Sequence, residues 1–152
     1  MDTRSPIEVR ALRYLAQREH SRRELEQKLS RHQNLCAREE LLTVLDKLQQ
    51  QGYLSDERMA EQVARHRRSR FGSQRIVHEL KSKGVDDHLI GNILPGLKET
   101  ELETALHIWR KKFDQPPATR EERAKHIRFM MNRGFSMETI QRVLTQAGEE
   151  NS

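Results

Sequence analysis

The chain has 152 residues, of which 34% are hydrophobic and 34% are charged. This balance excludes one large round core and favours several thin helical layers, each burying a narrow apolar stripe. The net charge of +5 favours a polyanionic partner, and no apolar run is long enough to cross a membrane.

The first predicted helix follows Pro6, a residue that suits the first turn of a helix, and it extends to about Arg18. Ser21, with Glu24 three residues later, has the pattern of a capping box and predicts the start of a second helix. Asn34 should end this second helix. The first third of the chain therefore begins with two short helices joined by a tight turn.

A third helix should begin near Ala37 and end at Gly52, which suits the left-handed residue that closes many helices. Ser55 or Asp56 should cap the fourth helix, and Ser73 should cap the fifth. Apolar residues recur three or four positions apart in each helix, which is the spacing of a single buried face.

The fifth helix should end at Gly84. Asp86 should cap a short sixth helix that Pro95 and Gly96 close. The seventh helix carries Trp109 on its apolar stripe, so we expect this ring in the core rather than on a binding surface.

The last two helices follow a loop around Pro116 and Pro117, the clearest break in the chain. Thr119 and Glu122 have the pattern of a second capping box, and Gly134 should end the eighth helix before the ninth begins. Met131 and Met137 are expected on the inward-facing stripes of these helices. Tyr53 and Phe135 follow helix-ending glycines and are expected to pack back on their own helices.

A glycine that ends a helix is followed three times by an apolar residue and a cap. The three strings are QGYLSDERM at Gly52, KGVDDHLI at Gly84 and RGFSMETI at Gly134. Their spacings of 32 and 50 residues are unequal, but three diverged three-helix units remain the simplest account. The expected bounds of the units are residues 1–54, 55–96 and 97–152. One helical triplet buries little surface by itself, so we predict an all-α fold of three tandem three-helix repeats forming an elongated curved rod.

Positive charge is concentrated in the middle unit. Eight Lys or Arg and two acids lie between Arg58 and Lys83, so this segment carries +6 while the rest of the chain is slightly acidic. A run of charge is often only a solvated helix face, yet four arginines within six residues repel one another unless an anion is near. Arginine also suits bidentate contact with phosphate or carboxylate. The candidate binding residues are Arg65, Arg67, Arg68, Arg70, Arg75, Lys81 and Lys83.

Other chemistry is poorly supported by the sequence. The seven histidines and single Cys36 show no zinc-ligand spacing, and we expect the histidines at the surface. The paired carboxylates begin helices and suit capping better than acid–base catalysis. No phosphate loop or nucleophile motif occurs. We therefore predict no enzyme activity, no metal and no cofactor. The N-terminus lacks the apolar segment of a secretory signal, so we expect a cytoplasmic protein.

The segment GYLSDERMAEQVARHRRSRFGSQRIVHELKSKGV closely resembles the RecX family, bacterial regulators of the RecA recombinase. Two flanking strings, YLAQREHSRRELEQKL and KHIRFMMNRGFSMETIQRVL, resemble the same family. The resemblance covers about residues 7–145. It implies three tandem three-helix repeats in a curved rod that binds along the helical groove of the RecA–DNA filament.

The resemblance also implies a function. Such proteins limit filament extension, inhibit ATP hydrolysis, strand exchange and coprotease activity, and bind single- and double-stranded DNA. The chain would then be a monomeric negative modulator of RecA, with the seven candidate cations facing RecA or DNA. The alternative is a DNA-binding regulator of helix-turn-helix type that acts without RecA, for which the helix pairs around Gly84 and Gly134 are the candidates.

Overall fold

The structure is a computed structural model that describes residues 3–32 and 36–150. Within these ranges the chain forms nine α-helices and no strand. Their bounds are α1 Pro6–Gln17, α2 Arg22–Ser30, α3 Arg38–Gln50, α4 Asp56–Arg67, α5 Ser73–Ser82, α6 Asp87–Glu99, α7 Glu101–Lys112, α8 Arg120–Asn132 and α9 Met137–Glu150. The prediction of an all-α fold is confirmed. Asn34, the expected end of α2, lies outside the described residues.

Helix starts follow the local signals closely. The Ser21 hydroxyl accepts a hydrogen bond from the Glu24 N–H at 3.1 Å, and the Glu24 carboxylate accepts one from the Ser21 N–H at 3.0 Å. The predicted capping box is therefore present. Asp86 caps α6 through Leu89, and Thr119 caps α8 through the Glu122 N–H.

The carboxylate of Glu122 departs from the capping-box expectation. It accepts a hydrogen bond from the Ala118 N–H at 2.7 Å, one residue earlier than the box requires.

Three separate apolar clusters form the core, one for each successive helical triplet. The first buries Leu25, Leu45 and Leu48, and the second buries Met59, Ile76 and Leu80. The third is the largest and includes Trp109 and Phe135. Each cluster is small, as the low apolar content requires, so the triplets depend on contacts with one another.

The end of α6 differs from the sequence prediction. The helix continues through Pro95 and Gly96 to Glu99, so the expectation that these two residues close it is wrong. Pro95 lacks an N–H and leaves the carbonyl of Gly91 without its helical partner. Both residues are exposed, so water can satisfy that carbonyl. Leu97 consequently packs in the second cluster.

The start of α5 also differs. Gly72, not Ser73, occupies the cap position, and no side chain caps this helix. The Ser73 hydroxyl instead donates to the Glu101 carboxylate at 3.0 Å, and its N–H donates to the same group at 3.1 Å. Ser73, which the local sequence predicts as a helix cap, therefore bonds instead to Glu101 of the next triplet.

Several burial predictions are wrong. Met131 and Met137 are 54% and 41% exposed, although each was expected on an inward-facing apolar stripe, and Tyr53 is 51% exposed. Conversely, His20 and His126 are buried, although the histidines were expected at the surface. His20 donates from Nδ1 to the Arg18 carbonyl and accepts at Nε2 from Lys28, and His126 accepts from the Trp109 indole N–H at 3.1 Å.

The triplets are joined end to end through their middle helices, α2, α5 and α8. At the first junction the Ser21 hydroxyl, which caps α2, donates to the carbonyl of Lys83 at the end of α5. At the second junction the Gly72 N–H, which precedes α5, donates to the carbonyl of Arg133 at the end of α8 at 2.7 Å. Each contact sets a positive helix N-terminus against a negative C-terminus.

Two glycines allow the helix ends to approach closely at these junctions. Gly84 and Gly134 have φ of +83° and +92° and end α5 and α8. A Cβ on Gly84 would collide with the Arg23 side chain, and one on Gly134 would collide with Arg75. Gly52 ends α3 rather than a middle helix and has open space around it. It is therefore not the equivalent of the other two, which explains the unequal spacing in the sequence.

The stacked triplets make an extended molecule. Its accessible surface is 9939 Å², whereas a compact monomer of this mass would expose about 8,000 Å². The excess is expected of units that contact only their neighbours along a row.

We expect Gly72→Ala to loosen the second junction. Its new Cβ would collide with the backbone of Gly134 and lie 2.7 Å from the Phe135 nitrogen. The backbone at Gly72 itself accepts any residue, so the effect would come from the collision alone. The free energy of unfolding in urea, followed by circular dichroism, should fall by about 1–3 kcal/mol.

Gly91→Ala is the matched control, because a Cβ at Gly91 has open space on an exposed helix. It should raise the free energy of unfolding by up to about 1 kcal/mol. If the two variants had equal stability, the close approach at Gly72 would not hold the junction.

Stability should also depend on pH through His126. Burial lowers the pKa of His126, since the charged imidazolium is poorly solvated there, and Lys125 lowers it further while Glu122 opposes the change. Protonation of Nδ1 would also break the bond from Trp109. The contribution of neutral His126 to the free energy of unfolding is present above the pKa of about 6.5 that histidine has in the unfolded chain. It is lost as the pH falls below that value towards the lower pKa of His126 in the folded protein.

The measurement is the free energy of unfolding between about pH 7.5 and about pH 5 for the wild type and His126→Gln. Gln keeps an acceptor for Trp109 but does not titrate, so the variant should lose less stability on acidification. Part of the pH dependence should persist, because burial also lowers the pKa of His20. Identical pH profiles would contradict the role given to His126.

Candidate functional site

The seven candidate cations do not form one continuous patch. Arg67 and Lys83 both pair with Glu79, Arg67 from Nε at 3.1 Å and Lys83 from Nζ at 3.3 Å. All three side chains are partly shielded from solvent. These two cations are therefore largely engaged inside the protein.

Three more of the seven lie at the junction of the second and third triplets. Arg68 donates to the Thr100 hydroxyl at 2.7 Å, and Arg75 donates to the Asn132 carbonyl at 3.0 Å. Arg70 follows α4 in an exposed turn, and its own carbonyl accepts from Arg133. None of these three pairs with a carboxylate among the described residues.

The remaining two, Arg65 and Lys81, are exposed, and neither side chain bonds to any residue that the structure describes. Arg65 precedes Arg67 by two positions on α4, which separates them by about 200° around the helix axis. Arg65 and Arg68 are about 60° apart and share an outer face. The dense run in the sequence is thus divided among two junctions and a solvated surface.

A cleft of about 320 Å³ lies at the first junction. It is lined by Arg67, Lys83 and the first-triplet residue Arg18, but also by Glu19 and Glu79. Arg58, which donates to Glu19 at 2.6 Å, adds another paired cation nearby, and this bond raises the pKa of Arg58. Arg18 pairs with Glu24, and Arg67 and Lys83 pair with Glu79, so each lysine and arginine lining this cleft has a carboxylate partner.

A second cleft, of about 520 Å³, lies at the junction of the second and third triplets. No acidic residue lines it, and none of its cations forms an ion pair with a described residue. We call it the acid-free cleft. Its lining residues are Ser69, Arg70, His107, Ile108, Lys111, Lys112, Phe129 and Arg133.

Only Arg70 of this cleft was among the candidate residues. Lys111, Lys112 and Arg133 were missed because they lie far from the arginine run in the sequence. The signal that could have found them is their position in the last turn of α7 and at the end of α8, two helices that end close together.

Aromatic rings hold the cations at this junction in place. The Arg133 guanidinium lies 5.6 Å from the centre of the Phe71 ring and 5.4 Å from that of Phe129. Arg75 lies 4.1 Å from the Phe71 ring, and Lys112 lies 5.5 Å from the Phe129 ring. Contacts with ring faces attract cations without neutralising them, so the positive potential at the junction persists.

Neither metal ligands nor a membrane segment was found in the described part of the chain. Residues 3–32 and 36–150 contain no group of three or more His, Cys, Asp or Glu suited to hold a metal ion. In the same ranges no helix combines the length and the apolar character needed to span a bilayer.

Comparisons with known proteins identify the family. Residues 55–94 match the model of the second three-helix domain of RecX, and residues 99–144 match that of the third. The protein named regulatory protein RecX of Leptothrix cholodnii is 46% identical over 95% of this chain and 91% of its own length. That of Ralstonia nicotianae is 40% identical over 93% and 87%, and that of Neisseria gonorrhoeae is 34% identical over 99% and 97%.

Solved structures have the same fold. The crystal structure of RecX from Lactobacillus salivarius superposes with a TM-score of 0.79 at 20% identity, covering 93% of this chain and 94% of the other. A second crystal structure, of a regulatory protein RecX, gives a TM-score of 0.77 at 22% identity, covering 90% and 70%. The fold of tandem three-helix repeats, the two matched domain models and the identity to relatives over nearly the whole length establish that the chain belongs to the RecX family.

Proposed function

We propose that this protein is a negative modulator of the RecA recombinase that binds in the groove of the RecA–DNA filament. There it limits filament extension and inhibits ATP hydrolysis, strand exchange and coprotease activity. Membership of a family of regulatory proteins is the observation that carries the proposal. The protein acts as a monomer in the cytoplasm, as a regulator and not as an enzyme.

The extended shape supports this mode of binding. A row of three triplets, divided at about residues 54 and 96, exposes more surface than a compact domain of the same mass. A curved rod of this kind would contact successive RecA subunits with its end repeats while its middle repeat faces the groove. Repeat proteins commonly use such extended surfaces to bind a partner.

The distribution of charge supports a partner rich in phosphate or carboxylate. Arg65, Arg68 and Arg70 are exposed and lie on the middle repeat or its junction with the third. No carboxylate of the described residues pairs with them. A bound polyanion would relieve their mutual repulsion. Single- and double-stranded DNA and acidic surfaces of RecA are the partners proposed for these cations.

The direct test is RecA-dependent ATP hydrolysis on single-stranded DNA, measured with and without this protein. Addition of the protein should lower the hydrolysis rate and slow the growth of filaments followed by light scattering. An unchanged rate at saturating protein would contradict the proposed function.

The double substitution Arg65→Glu and Arg68→Glu should weaken this inhibition. Both side chains are exposed on one face of α4, and neither lies beside a carboxylate that the change would strand. We expect at least about a tenfold increase in the concentration needed for half inhibition, and a weaker dependence of inhibition on salt.

The matched control is Arg13→Glu with Arg142→Glu, which makes the same change in net charge at exposed positions on the first and last helices. It should weaken inhibition much less than the middle-repeat variant does, because the cations that face the groove remain. Equal loss in both variants would point to net charge alone rather than to the middle repeat.

The helix-turn-helix alternative predicts a different outcome. A regulator acting without RecA would bind one duplex sequence far more tightly than others, because base contacts would supply specificity. Competition between unrelated duplexes separates the two functions: sequence-independent binding is expected here.

A further inference from the structure

We propose that the acid-free cleft is a binding site for single-stranded DNA, with its cations on backbone phosphates and Phe129 against a base. The inference deepens the proposed function, because Arg70 is a candidate cation of that function and also lines the cleft. It rests on the proposed function, which brings the protein to single-stranded DNA in the RecA filament. Its test is made without RecA, so the two can fail separately.

The two junctions of the rod provide an internal comparison. Every arginine and lysine that lines the cleft at the first junction pairs with a carboxylate, Arg18 with Glu24 and both Arg67 and Lys83 with Glu79. The cleft at the second junction has four cations, Arg70, Lys111, Lys112 and Arg133, and no acid lines it among the described residues. The same kind of junction therefore exists with its cations paired, so stacking of the repeats does not require unpaired ones.

A purely structural role explains these cations only in part. Lys111, Lys112 and Arg133 lie at the ends of α7 and α8, where a positive charge stabilises a helix C-terminus. Stabilisation of the ends of α7 and α8 does not account for Arg70, which belongs to the preceding repeat and lines the same cleft. Cations converging from two repeats are the arrangement that binds an extended chain of phosphates.

The aromatic ring distinguishes nucleic acid from an acidic protein segment. Phe129 lines the cleft and is only half-buried. Its edge-on contact with Phe113, at 5.4 Å and 87°, fixes its orientation. Phe113 in turn stacks on the His126 ring at 3.7 Å. A rigid, half-buried ring beside cations that lack a carboxylate partner is the combination found where bases of a single strand stack. An acidic peptide needs the cations but not the ring.

The size of the cleft fits a single strand. Its volume of about 520 Å³ lies within the range of about 300–1,000 Å³ that is typical of small-molecule sites. A recess of this kind admits one strand with its bases unstacked. The phosphates of a duplex line the outside of a wide cylinder and cannot enter it together with a base.

The experiment is the binding of a fluorescent oligothymidylate to the full chain without RecA, followed by anisotropy between about 50 mM and about 200 mM salt. Lys111→Ala with Lys112→Ala should lower affinity about tenfold or more at the lower salt concentration. It should also reduce the slope of log affinity against log salt by about 1.4, or about 0.7 for each phosphate contact. Arg110→Ala with Arg142→Ala, which removes two cations outside the cleft, should leave both quantities close to wild type.

Phe129→Leu tests the base contact separately. It keeps an apolar side chain beside the third core cluster, and we expect about a fivefold or greater loss of affinity with no change in the salt slope. Fluorescence of Trp109, the single tryptophan, reports whether each variant retains a folded third repeat.

Three results would overturn the inference. The first is wild-type binding by the lysine variant, and the second is a loss of duplex binding in that variant as large as its loss of single-strand binding. The third is displacement by polyglutamate as efficient as by unlabelled oligothymidylate at equal charge. The last would identify the cleft as a site for acidic protein.

A lysine variant that loses oligonucleotide binding but still inhibits RecA would support the cleft as a DNA site outside the inhibitory contact. A variant that binds DNA normally yet fails to inhibit RecA would overturn the cleft assignment and leave the proposed function in place.

Discussion

The structure depends on one repeated contact, in which the start of a middle helix rests on the end of the next. A donor at the N-terminus of α2 bonds to the carbonyl of Lys83, and a donor before α5 bonds to the carbonyl of Arg133. Each triplet contains a small apolar cluster, so these contacts supply much of what joins the triplets into one molecule. Because the helix dipoles align head to tail at both junctions, electrostatic attraction adds to the hydrogen bonds.

The two junctions use the same backbone contact but different side chains around it. The first is surrounded by ion pairs, among them Arg58 with Glu19 and Arg22 with Asp46. The second relies on Ser73 with Glu101, on a close backbone approach at Gly72, and on cations held against Phe71. Ring contacts in place of ion pairs leave the cations of the second junction without a carboxylate partner among the described residues. The net charge of +5 is therefore unevenly distributed over the surface.

Local features were predictable from the sequence because their causes lie within a few residues. The capping box at Ser21, the cap at Asp86 and the left-handed glycines at Gly84 and Gly134 all follow from side chains and turns that are close in the chain. The three-helix units followed from the same signals. Family resemblance then supplied the proposed function, which composition and spacing alone left open.

The errors have long-range causes. Ser73 has the sequence of a cap, but Glu101 of the next repeat bonds to it. Pro95 has the sequence of a helix end, but Leu97 continues the helix to reach the second core cluster. Gly52 resembles Gly84 and Gly134 in sequence, yet no neighbouring repeat crowds it. In each case the outcome depends on packing, or on the lack of it, beyond the few residues in which local signals act.

The candidate site was predicted incompletely for the same reason. A dense run of arginine is visible in the sequence, but an α-helix distributes consecutive residues around its axis, so Arg65 and Arg67 face different surroundings. Glu79, on the next helix, neutralises Arg67 but not Arg65. Charge density along the chain therefore overstates charge density in space, and it overlooks cations that converge from distant segments.

The acid-free cleft and the second junction share one determinant. One wall of the cleft, with Arg70, belongs to the second repeat, and the other wall, with Lys111, Lys112 and Phe129, belongs to the third. The separation of the walls is set by the approach of Gly72 to Gly134, where no side chain fits between the backbones. Phe129 is in turn braced through Phe113 and His126 on the buried Trp109. The close approach of Gly72 to Gly134, which joins the second and third repeats, thus also sets the width of the cleft. The geometry of the proposed binding site therefore depends on how the repeats stack.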